Sequence, residues 1–481
     1  MHNPETTLEA ILPELQAHRS LVIRGIDSDT RRLPPGGLFF ALQTRHGSAE
    51  HFLPAAWQTG AAAAIVEGER EAYREETQGP VWIRPDARAL LGLALRRWYH
   101  WDAEAQPTLI GVTGTNGKSS VSRLIAQLAP APAYLIGTLG HGPVASLEPL
   151  PNTTPEAVEL WRLLAQARQQ GSRSVAMEVS SHALALGRVA AVPFAVAVFT
   201  NLTQDHLDFH GDMASYGAAK AKLFATPELR IAILNHDDPF SATLQAQLAP
   251  GVELLHYGFQ GGDLRVVDYH PGASGTLLTL HTPQGERRLR SPLIGRSNTY
   301  NLLAALTTAM ALGWDWDDAA IAALDLPAGR YQVLPARPDK ARVMVDYAHS
   351  PDALERVLED LRSIAKGKIW VVFGCGGNRD RDKRAKMGAI AARLADRVIV
   401  TDDNPRNEDP EQISHEILAG IPAGGAVLEH DRGRAIALAI DAAQPGDWVL
   451  IAGKGHESYQ EIAGKRHPFD DLAKAREALA R

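Results

Sequence analysis

The sequence predicts an α/β protein of several domains built on doubly wound parallel sheets. Short apolar runs recur at helix-length intervals, for example at residues 108–112, 174–179, 195–199 and 231–234. Strands that alternate with helices in this way form parallel sheets covered by helices on both faces. A length of 481 residues is too great for one hydrophobic core, so two to four domains are expected.

Changes of pattern along the chain divide it into three regions. Residues 1–105 read as a small N-terminal α/β domain, and residues 106–335 as a central parallel-sheet domain. A Pro-rich, charged segment at 335–340 reads as a linker. Residues 336–481 resume the alternation of strands and helices and predict a C-terminal Rossmann-like α/β domain.

Individual elements follow from the same patterns. In the central region, alternating apolar and polar residues at 252–290 predict an antiparallel insertion, and a helix is expected at 299–312. The other expected strands of the outer regions are 21–23, 38–42, 61–66, 81–83, 341–345, 369–373, 397–400 and 448–451.

Composition excludes several classes of protein. Hydrophobic residues make up 45% of the chain and charged residues 22%, which is ordinary for a globular protein. The net charge of −7, from 49 basic and 56 acidic residues, does not indicate nucleic-acid binding. A single cysteine, Cys375, rules out an intrachain disulfide framework and suits a reducing compartment. With neither a signal peptide nor an apolar run of membrane-spanning length, the expectation is a soluble, cytoplasmic protein.

A glycine loop follows the apolar run at 108–112 and leads into a predicted helix that starts at Lys118. In such a loop, backbone N–H groups and the helix N-terminus bind phosphates, the lysine reaches the terminal phosphates and the serine can hold Mg²⁺. The residues concerned are Gly114, Thr115, Asn116, Gly117, Lys118, Ser119 and Ser120. The usual spacing would place a glycine at position 112, where Val112 stands, so this loop is shorter than the common form. The alternative is a glycine turn that merely ends a strand.

Acidic and histidine residues follow the next two strands. Glu178 ends a buried strand at the sheet edge where doubly wound proteins bind ligands, so it is a candidate Mg²⁺ ligand. Its alternative role is a cap on the following helix. His206 and His210 are four residues apart, as two metal ligands on a helix would be, but that spacing also arises by coincidence on surfaces.

Taken together, these motifs resemble the Mur ligases, ATP-dependent amide-bond synthetases of peptidoglycan precursor assembly. The resemblance runs in order from about residue 27 to 470. It rests on the glycine loop, on Glu178 in Met-Glu-Val-Ser-Ser-His, on Asp205 to Gly211, and on Asn298, Asn301, Arg330 and Asp346 in their motifs. It implies an N-terminal uridine-nucleotide domain, a central P-loop ATPase domain and a C-terminal amino-acid-binding domain.

Further motifs are similar to one branch of that family, the one that adds the third residue of the peptide stem. They are the Asn-Thr-Thr-Pro run from Asn152, the Ser-Ser-His run from Ser180, the Gly-Cys-Gly-Gly-Asn-Arg-Asp run from Gly374, the Asp-Asn-Pro-Arg run from Asp403 and the Gly-Lys-Gly-His-Glu run from Gly453. The implied substrates are ATP, a UDP-N-acetylmuramoyl dipeptide and a diamino acid. The implied intermediate is an acyl phosphate. A monomer is expected.

The resemblance also implies residue roles. Lys118 would hold the β- and γ-phosphates, Ser119 and Glu178 a first Mg²⁺, and His206 a second. Asn298, Asn301 and Arg330 would lie near the nucleotide, and closure of the third domain would bring Arg330 and Asp346 to the phosphates. Lys220 stands where the family carries a carbamylated lysine that acts as a metal ligand, whereas its residue type alone predicts an exposed helical lysine. Lys222 is out of register for that role.

The resemblance also implies which residues bind the substrates. For the sugar nucleotide they are Ser28, Thr30, Asn152, Thr153, Thr154, Ser180 and Arg188. For the amino acid they are Arg379, Asp403, Asn404, Pro405, Arg406, Gly453 and Glu457. An arginine at position 406 suits meso-2,6-diaminopimelate, because a guanidinium binds a far carboxylate with two hydrogen bonds. Its alternative is a solvated loop arginine.

Some positions depart from the family pattern. Asn378 replaces an aspartate and Asp382 a glycine near the amino-acid pocket, so L-lysine and L-ornithine stay open as substrates. Leu186 replaces a glutamine, the Asp-Ser-Arg signature reads Asp29-Thr30-Arg31, and the stretch Arg45-His46-Gly47 matches poorly.

The sequence leaves two rival functions to weigh. A folylpolyglutamate synthetase shares the short loop and the chemistry, but would lack the uridine domain and the Asp-Asn-Pro-Arg loop. A GTP switch would carry an Asn-Lys-Xaa-Asp motif, and the chain contains no Asn-Lys pair.

Overall fold

The computed structural model describes residues 5–44, 47–103 and 105–481. The poor match at Arg45 and His46, and the first four residues considered for a targeting signal, lie outside these ranges. The described chain forms two compact units. The first contains the described residues up to Leu234 with Asp238–Leu255 and Thr308–Trp314, and the second contains Asn235–Asp237, His256–Thr307 and Asp315–Arg481.

A five-stranded sheet forms the N-terminal part of the first unit. Its strand order is β3-β4-β5-β7-β6, parallel except for the edge strand β6. The elements are β1 (Thr6–Thr7), α1 (Leu8–Ile11), β2 (Val22–Ile23), β3 (Ile26–Asp27), β4 (Leu38–Ala41), α2 (Leu53–Gln58), β5 (Ala63–Glu67), β6 (Ala72–Glu76), β7 (Gly79–Arg84) and α3 (Ala87–Trp98), with 3₁₀ turns at Ala49–Phe52 and Trp101–Ala103.

The central sheet of the first unit has the order β10-β9-β11-β8-β12-β13, parallel except for β10. Its elements are β8 (Thr108–Thr113), α4 (Lys118–Leu128), β9 (Ala133–Gly137), β10 (Gly140–Gly142), α5 (Ala157–Gln169), β11 (Ser174–Glu178), α6 (Ser181–Ala185), β12 (Val196–Phe199), α7 (Leu207–His210), α8 (Met213–Ala221), β13 (Ile231–Asn235) and α9 (Phe240–Gln245), with a 3₁₀ turn at Lys222–Ala225.

One apolar core joins these two parts of the first unit. Leu91 and Leu95 of α3 are buried in the same cluster as Leu160 and Leu164 of α5. Burial of two sheets against shared helices fixes the N-terminal sheet to the central one, because the apolar area removed from water is contiguous.

The second unit begins with an antiparallel meander. Strand β14 (Glu253–Gly258) enters it from the first unit and pairs in parallel with β15 at Tyr257 and Leu264. The next elements are β15 (Leu264–Gly272), β16 (Gly275–Thr282), β17 (Gly285–Ser291), α10 (Arg296–Ala311) and α11 (Asp318–Ala322). β15, β16 and β17 are antiparallel. The predicted antiparallel insertion is therefore confirmed for 264–291 but not for β14.

A six-stranded sheet of order β18-β19-β23-β20-β21-β22 forms the rest of the second unit. Only β18 is antiparallel to its neighbour. The elements are β18 (Gln332–Val333), β19 (Arg342–Asp346), α12 (Pro351–Ile364), β20 (Ile369–Phe373), α13 (Lys383–Leu394), β21 (Arg397–Val400), α14 (Pro410–Leu418), β22 (Ala426–Leu428), α15 (Arg432–Ala442), β23 (Trp448–Ala452), the hairpin β24 (Tyr459–Ile462) and β25 (Lys465–Pro468), and α16 (Asp471–Leu479).

The expected fold class is confirmed, with three α/β sheets in chain order. The domain boundaries at 105 and 335 stay predictions, because the chain clusters into two compact units rather than three. None of the helices in the described ranges is long and apolar enough to cross a membrane.

Candidate active site

The predicted phosphate loop, residues 114–120, lies at the carboxyl end of β8, an interior strand of its sheet. Gly114 has φ of +149°, and a Cβ there would lie 1.8 Å from Thr200 Oγ1, so only glycine fits. The loop backbone is held by the segment after β12, because Asn201 accepts from the N–H groups of Thr115 and Asn116. Helix α4 starts directly at Lys118, which is the layout expected for a phosphate loop, and phosphate binding itself stays a prediction.

Glu178 faces this loop from the end of β11. The carboxylate is 2% exposed, and its Oε2 accepts a hydrogen bond of 2.8 Å from Ser119 Oγ. Ser180, not Glu178, caps the following helix by accepting from Ala183 N, so the capping alternative is wrong. A hydroxyl and a carboxylate are the hard oxygen donors that Mg²⁺ prefers, and this pair fits such an ion.

Lys220 lies beneath the loop rather than on the surface. Its side chain in α8 is 1% exposed, and Nζ donates a 2.7 Å hydrogen bond to Gly114 O. Burial, together with the nearby charge of Lys118, holds the pKa of Lys220 well below its ordinary value. The residue-type expectation of an exposed lysine is therefore wrong. Lys222, two positions on, is exposed.

The histidines after β12 do not form a helical pair. His206 has φ of +54° and precedes α7, whereas His210 ends that helix and lies 3.0 Å from Ser181 Oγ through Nε2. The ring of His182 packs 4.9 Å from that of His206, and burial, then His206 and His210, lower the pKa of His182 to about 4. Within the described ranges, no three His, Cys, Asp or Glu side chains are grouped to hold a metal. A metal-binding role for His206 or His210 therefore stays a prediction.

Several of the expected sugar-nucleotide residues lie beside Glu178. Thr154 Oγ1 donates to Glu178 O over 2.9 Å and also contacts Ser180 Oγ at 3.2 Å. Arg188 donates through Nη1 to Thr154 O at 3.1 Å. Thr153 Oγ1 contacts Thr138, and Asn152 is exposed on the same loop.

The other expected residues of this group lie in the N-terminal sheet. Ser28 and Thr30 belong to the turn after β3, where Asp27 accepts from Asp29 N and from Arg32. At the departure from the family pattern, the carbonyl of Leu186 accepts from Arg88.

A second cluster lies in the second unit, around the start of its large sheet. Asp346, at the end of β19, accepts 2.8 Å hydrogen bonds from Tyr331 N and Ala348 N. Burial raises the pKa of this carboxyl, and the charge of Arg330 opposes the rise. The Arg330 guanidinium lies 4.7 Å from the ring centre of Tyr347. The structure therefore brings Arg330 and Asp346 together.

The two asparagines of α10 are joined to each other in the same unit. Asn301 Nδ2 donates to Asn298 Oδ1 over 3.1 Å, and Asn298 Nδ2 donates to Ile294 O. Asn301 and Asn298 thus form a hydrogen-bonded amide pair on α10.

Most of the expected amino-acid-binding residues meet at the carboxyl ends of β21 and β23. Asn404 donates to Glu457 Oε2 over 2.9 Å, and Lys454 Nζ donates to Asn404 Oδ1 and to Glu457 Oε2. Asp403 lies 4.0 Å from the same ammonium group. Gly453 has φ of +118°, and a Cβ there would lie 2.5 Å from Asp403 Oδ2.

Arg406 is not a solvated loop residue. Only 22% of its side chain is exposed, Nη1 donates to Gly377 O at 2.8 Å and Nε lies 3.5 Å from Glu461. Pro405 precedes it in the same loop, and Arg379 is exposed on the neighbouring one. At the departures from the family pattern, Asn378 Oδ1 accepts from Asn407 N at 3.1 Å, and Asp382 precedes α13.

Three residues of these networks were missed by the sequence analysis. Thr138 donates a hydrogen bond to Glu178, and Lys454 donates one to Glu457. Arg384 is fully buried and donates hydrogen bonds to Glu408 and Glu416. Lys454 stands inside the Gly-Lys-Gly-His-Glu motif, so that motif was the available signal. The sequence carries no local signal for Thr138 or Arg384.

Comparison with known proteins agrees with this geometry. The chain matches the Mur ligase middle domain over residues 112–309 and the Mur ligase glutamate ligase domain over residues 329–455. It is 46% identical to the UDP-N-acetylmuramoyl-L-alanyl-D-glutamate–2,6-diaminopimelate ligase of Ectopseudomonas mendocina, covering 98% of both chains. The ligase of the same name from Pseudomonas aeruginosa is 46% identical over 97% of this chain and 96% of its own.

A solved structure is similar over the whole length as well. It is that of a UDP-N-acetylmuramoyl-L-alanyl-D-glutamate–2,6-diaminopimelate ligase, 37% identical, with a TM-score of 0.74 and coverage of 99% of each chain. This chain belongs to the Mur ligase family of ATP-dependent ligases. Within that family it falls in the MurE branch, among the ligases named for diaminopimelate.

Proposed function

We propose that this protein joins meso-2,6-diaminopimelate to UDP-N-acetylmuramoyl-L-alanyl-D-glutamate in peptidoglycan precursor synthesis, using ATP and an acyl-phosphate intermediate. The observation that carries the proposal is one arrangement at the end of the central sheet. Two lysines, Lys118 and Lys220, both donate to Gly114 O, while Glu178 and Ser119 form an oxygen pair beside them. Cations next to a phosphate loop are what the approach of two anions requires.

In the first step, the free carboxylate of the dipeptide attacks the γ-phosphorus of ATP, the acyl phosphate forms and ADP leaves. Lys118 neutralises the β- and γ-phosphates, and backbone N–H groups of the loop orient them. Ser119 and Glu178 would hold Mg²⁺, and His206 would contribute to a second ion. Bound there, Mg²⁺ supplies charge neutralisation between the phosphates and the attacking carboxylate.

Lys220 has a special part in this proposal. A neutral amine reacts with carbon dioxide to give a carbamate, and the environment of Lys220 favours the neutral form because the side chain is buried beside Lys118. The carbamate changes a cation that repels metal ions into an oxygen ligand. It would therefore add to the oxygen donors at the Mg²⁺ site.

In the second step, the amine of the amino acid attacks the acyl carbon and inorganic phosphate leaves. Asn404 and Glu457, joined at 2.9 Å, are suited to hold the ammonium end of the incoming amino acid, and Arg406 to bind its far carboxylate. Arg406 lies in a loop held to Gly377 and the β24–β25 hairpin, which limits its movement. Arg379, Asp403, Pro405 and Gly453 would complete the amino-acid pocket.

Residues of the first unit are proposed to bind the sugar nucleotide. Thr154 is bonded to the backbone carbonyl of Glu178, Ser180 and Arg188 are bonded to Thr154, and Thr153 is bonded to Thr138. This chain of contacts at the end of β11 would place the dipeptide end of the substrate near the γ-phosphate. Asn152, Ser28 and Thr30 would contact the rest of that substrate. Asn298, Asn301, Arg330 and Asp346 are proposed to act on the nucleotide side.

Phosphate release tests this function directly. Purified protein is incubated with ATP, Mg²⁺ and the UDP-muramoyl dipeptide, and phosphate is measured with diaminopimelate, L-lysine or L-ornithine. Release with diaminopimelate well above the other two is expected. Release with none of the three would contradict the function. Preference for lysine or ornithine would contradict diaminopimelate as the substrate and the role of Arg406, but not the ligase reaction.

The rival functions fit less well. A folylpolyglutamate synthetase was expected to lack a uridine-binding domain, yet the diaminopimelate ligases match this chain over 98% of its length. A GTP switch is disfavoured by membership of a ligase family.

A further inference from the structure

One threonine touches both the metal-site carboxylate and the proposed sugar-nucleotide loop. Thr138 follows β9, and β9 pairs in parallel with β11, which ends at Glu178. The N–H of Thr138 donates to Glu178 Oε1 over 2.8 Å. Its hydroxyl lies 3.2 Å from Glu178 Oε2 and 3.0 Å from Thr153 Oγ1.

The close approach of Thr138 to the carboxylate depends on the residue before it. A Cβ on Gly137 would lie 2.3 Å from Glu178 Oε1 and 2.8 Å from its Cγ. A glycine is therefore required for the turn after β9 to wrap the carboxylate. The hydrogen bond from the Thr138 N–H to Glu178 is made by backbone at the end of β9, so it does not depend on a side-chain rotamer of Thr138.

A threonine hydroxyl has a single hydrogen to donate, and here it faces two acceptors. If it points to Glu178 Oε2, it shares that oxygen with Ser119 Oγ, which donates over 2.8 Å. If it points to Thr153 Oγ1, the carboxylate oxygen is released. A cation held by Ser119 and Glu178 would compete with the Thr138 hydroxyl for the carboxylate and would favour the second orientation.

The surrounding backbone does not need to move for this exchange. Thr154 Oγ1 donates to Glu178 O over 2.9 Å and accepts from Ser180 N over 3.1 Å, which ties the Thr153 loop to the end of β11. Rotation of the Thr138 hydroxyl is then enough to change whether the Thr153 hydroxyl hydrogen is available to a ligand. With its oxygen already accepting, Thr153 keeps its own hydrogen for an incoming oxygen of the substrate.

We propose that Thr138 is a positioning residue that couples occupancy of the Mg²⁺–nucleotide site to binding of the UDP-muramoyl dipeptide. This inference rests on the proposed function, since it takes both ligands from it. The coupling is reciprocal, so Mg²⁺–ADP tightens binding of the dipeptide and the dipeptide tightens binding of Mg²⁺–ADP by the same factor.

Calorimetric titration measures the coupling without turnover. The full chain is titrated with the UDP-muramoyl dipeptide in the presence and absence of saturating Mg²⁺–ADP, and the ratio of the two Kd values is taken. For the unaltered protein we expect a ratio of about 5 or more, the lower end of ordinary coupling. Thr138→Val keeps the shape and removes the hydroxyl, so its ratio should fall below about 2.

Two further variants separate coupling from simple damage. Thr138→Ser keeps the hydroxyl and should keep the ratio within about twofold of the unaltered protein. Thr59→Val removes a hydroxyl that donates to Ala56 O in α2 and should leave the ratio unchanged. If Thr138→Val does not fold, Thr153→Val removes the hydroxyl that Thr138 contacts. The ratio of the two Kd values should then fall below about 2, even if both Kd values rise.

Each result has a definite meaning. An unchanged ratio in a folded Thr138→Val, a lost ratio in Thr138→Ser, or an unaltered protein that binds the dipeptide without coupling would overturn this inference and leave the proposed function standing. An unaltered protein that does not bind the dipeptide at all would overturn both.

Discussion

Lys220 and Lys222 are two positions apart and have opposite environments. Lys220 is buried under the phosphate loop with its pKa lowered by burial, whereas Lys222 is exposed. Residue type predicts the surface position for both, because buried lysines are rare. Lys220 lies in the last turn of α8 and reaches the loop, whereas Lys222 begins the 3₁₀ turn that follows this helix.

We predict that Lys220→Ala reduces phosphate release at least about 100-fold, the range seen when one preorganised electrostatic group is lost. Short carboxylic acids such as acetate should restore part of the rate, since they supply the missing oxygen ligand. Lys222→Ala is the matched control and should stay within about twofold. A Lys220→Ala protein with full activity would rule out the carbamate.

Arg406 is held in one orientation by the Gly377 carbonyl and by Glu461. We predict that Arg406→Leu raises KM for diaminopimelate by about 10- to 100-fold, because a charged hydrogen-bonded pair contributes about 1.5–3 kcal/mol. Steady-state kinetics with each substrate varied in turn would measure this, and KM for ATP should not change.

L-Lysine provides the internal control for that prediction, because it has no far carboxylate. The kcat/KM for lysine should change far less than that for diaminopimelate. Arg434, whose side chain is 75% exposed, provides a second control. Arg434→Leu measures the effect of removing one positive charge that has no proposed role in binding the amino acid. An equal fall in kcat/KM for both amino acids would show that Arg406 does not bind the second carboxylate.

Helices α15 and α16 are joined by a buried ion pair at their N-termini. Arg432 opens α15 and Asp471 opens α16, both are fully buried, and two hydrogen bonds of 2.7 and 2.8 Å join them. A cation at a helix N-terminus opposes the helix dipole, so Arg432 depends on Asp471 for compensation. The pair therefore fixes how these helices pack on the sheet end that carries Gly453.

We predict that Asp471→Asn destabilises the second unit by about 3–5 kcal/mol, because it leaves a buried guanidinium without its counter-ion. Denaturant unfolding monitored by tryptophan fluorescence would measure the loss. Arg434→Ala, which removes an exposed ion pair, should cost no more than about 1 kcal/mol. A double variant, Arg432→Met with Asp471→Leu, should recover much of the stability, and failure to do so would indicate a role beyond charge pairing.

At the scale of the whole molecule, ligand binding is linked to folding. A ligand at one hundred times its Kd stabilises the folded chain by about 2.7 kcal/mol. We predict that Mg²⁺–ADP raises the thermal midpoint of the protein, and that chelation of Mg²⁺ removes most of the rise. Lys118→Met should also lose most of it, because Lys118 is proposed to hold the phosphates.

Differential scanning fluorimetry would measure these midpoints. Lys222→Met is the matched control and should keep the full shift, because Lys222 is exposed. An equal shift with and without Mg²⁺ would contradict the assignment of Ser119 and Glu178 to a metal site.

The elements that the sequence predicted best are those buried on both faces. The runs at 108–112, 369–373 and 448–451 became β8, β20 and β23, because a parallel strand covered by helices must be continuously apolar. β6 was not predicted, since Ala72–Glu76 is a polar edge strand with exposed residues. β10 has no apolar run, whereas β9 was missed although Tyr134, Leu135 and Ile136 form one and are buried.

What the sequence determined by itself was the class of fold, the phosphate loop and the family, because these depend on local order along the chain. A glycine loop between a strand and a helix works through its own backbone, so its residues can be read in place. Glu178 and His206 were candidates because they end or follow buried strands, whereas Lys220 and Arg406 were proposed from the resemblance to the family.

Only the tertiary structure decided how those residues are held. Thr138 reaches Glu178 because β9 and β11 are neighbours in the sheet. In the sequence, 36 residues lie between the last residue of β9, Gly137, and the first residue of β11, Ser174. Lys220 is buried because α8 packs under Gly114, more than one hundred residues earlier in the chain. Such contacts depend on strand order and on burial, and neither leaves a local pattern in the sequence.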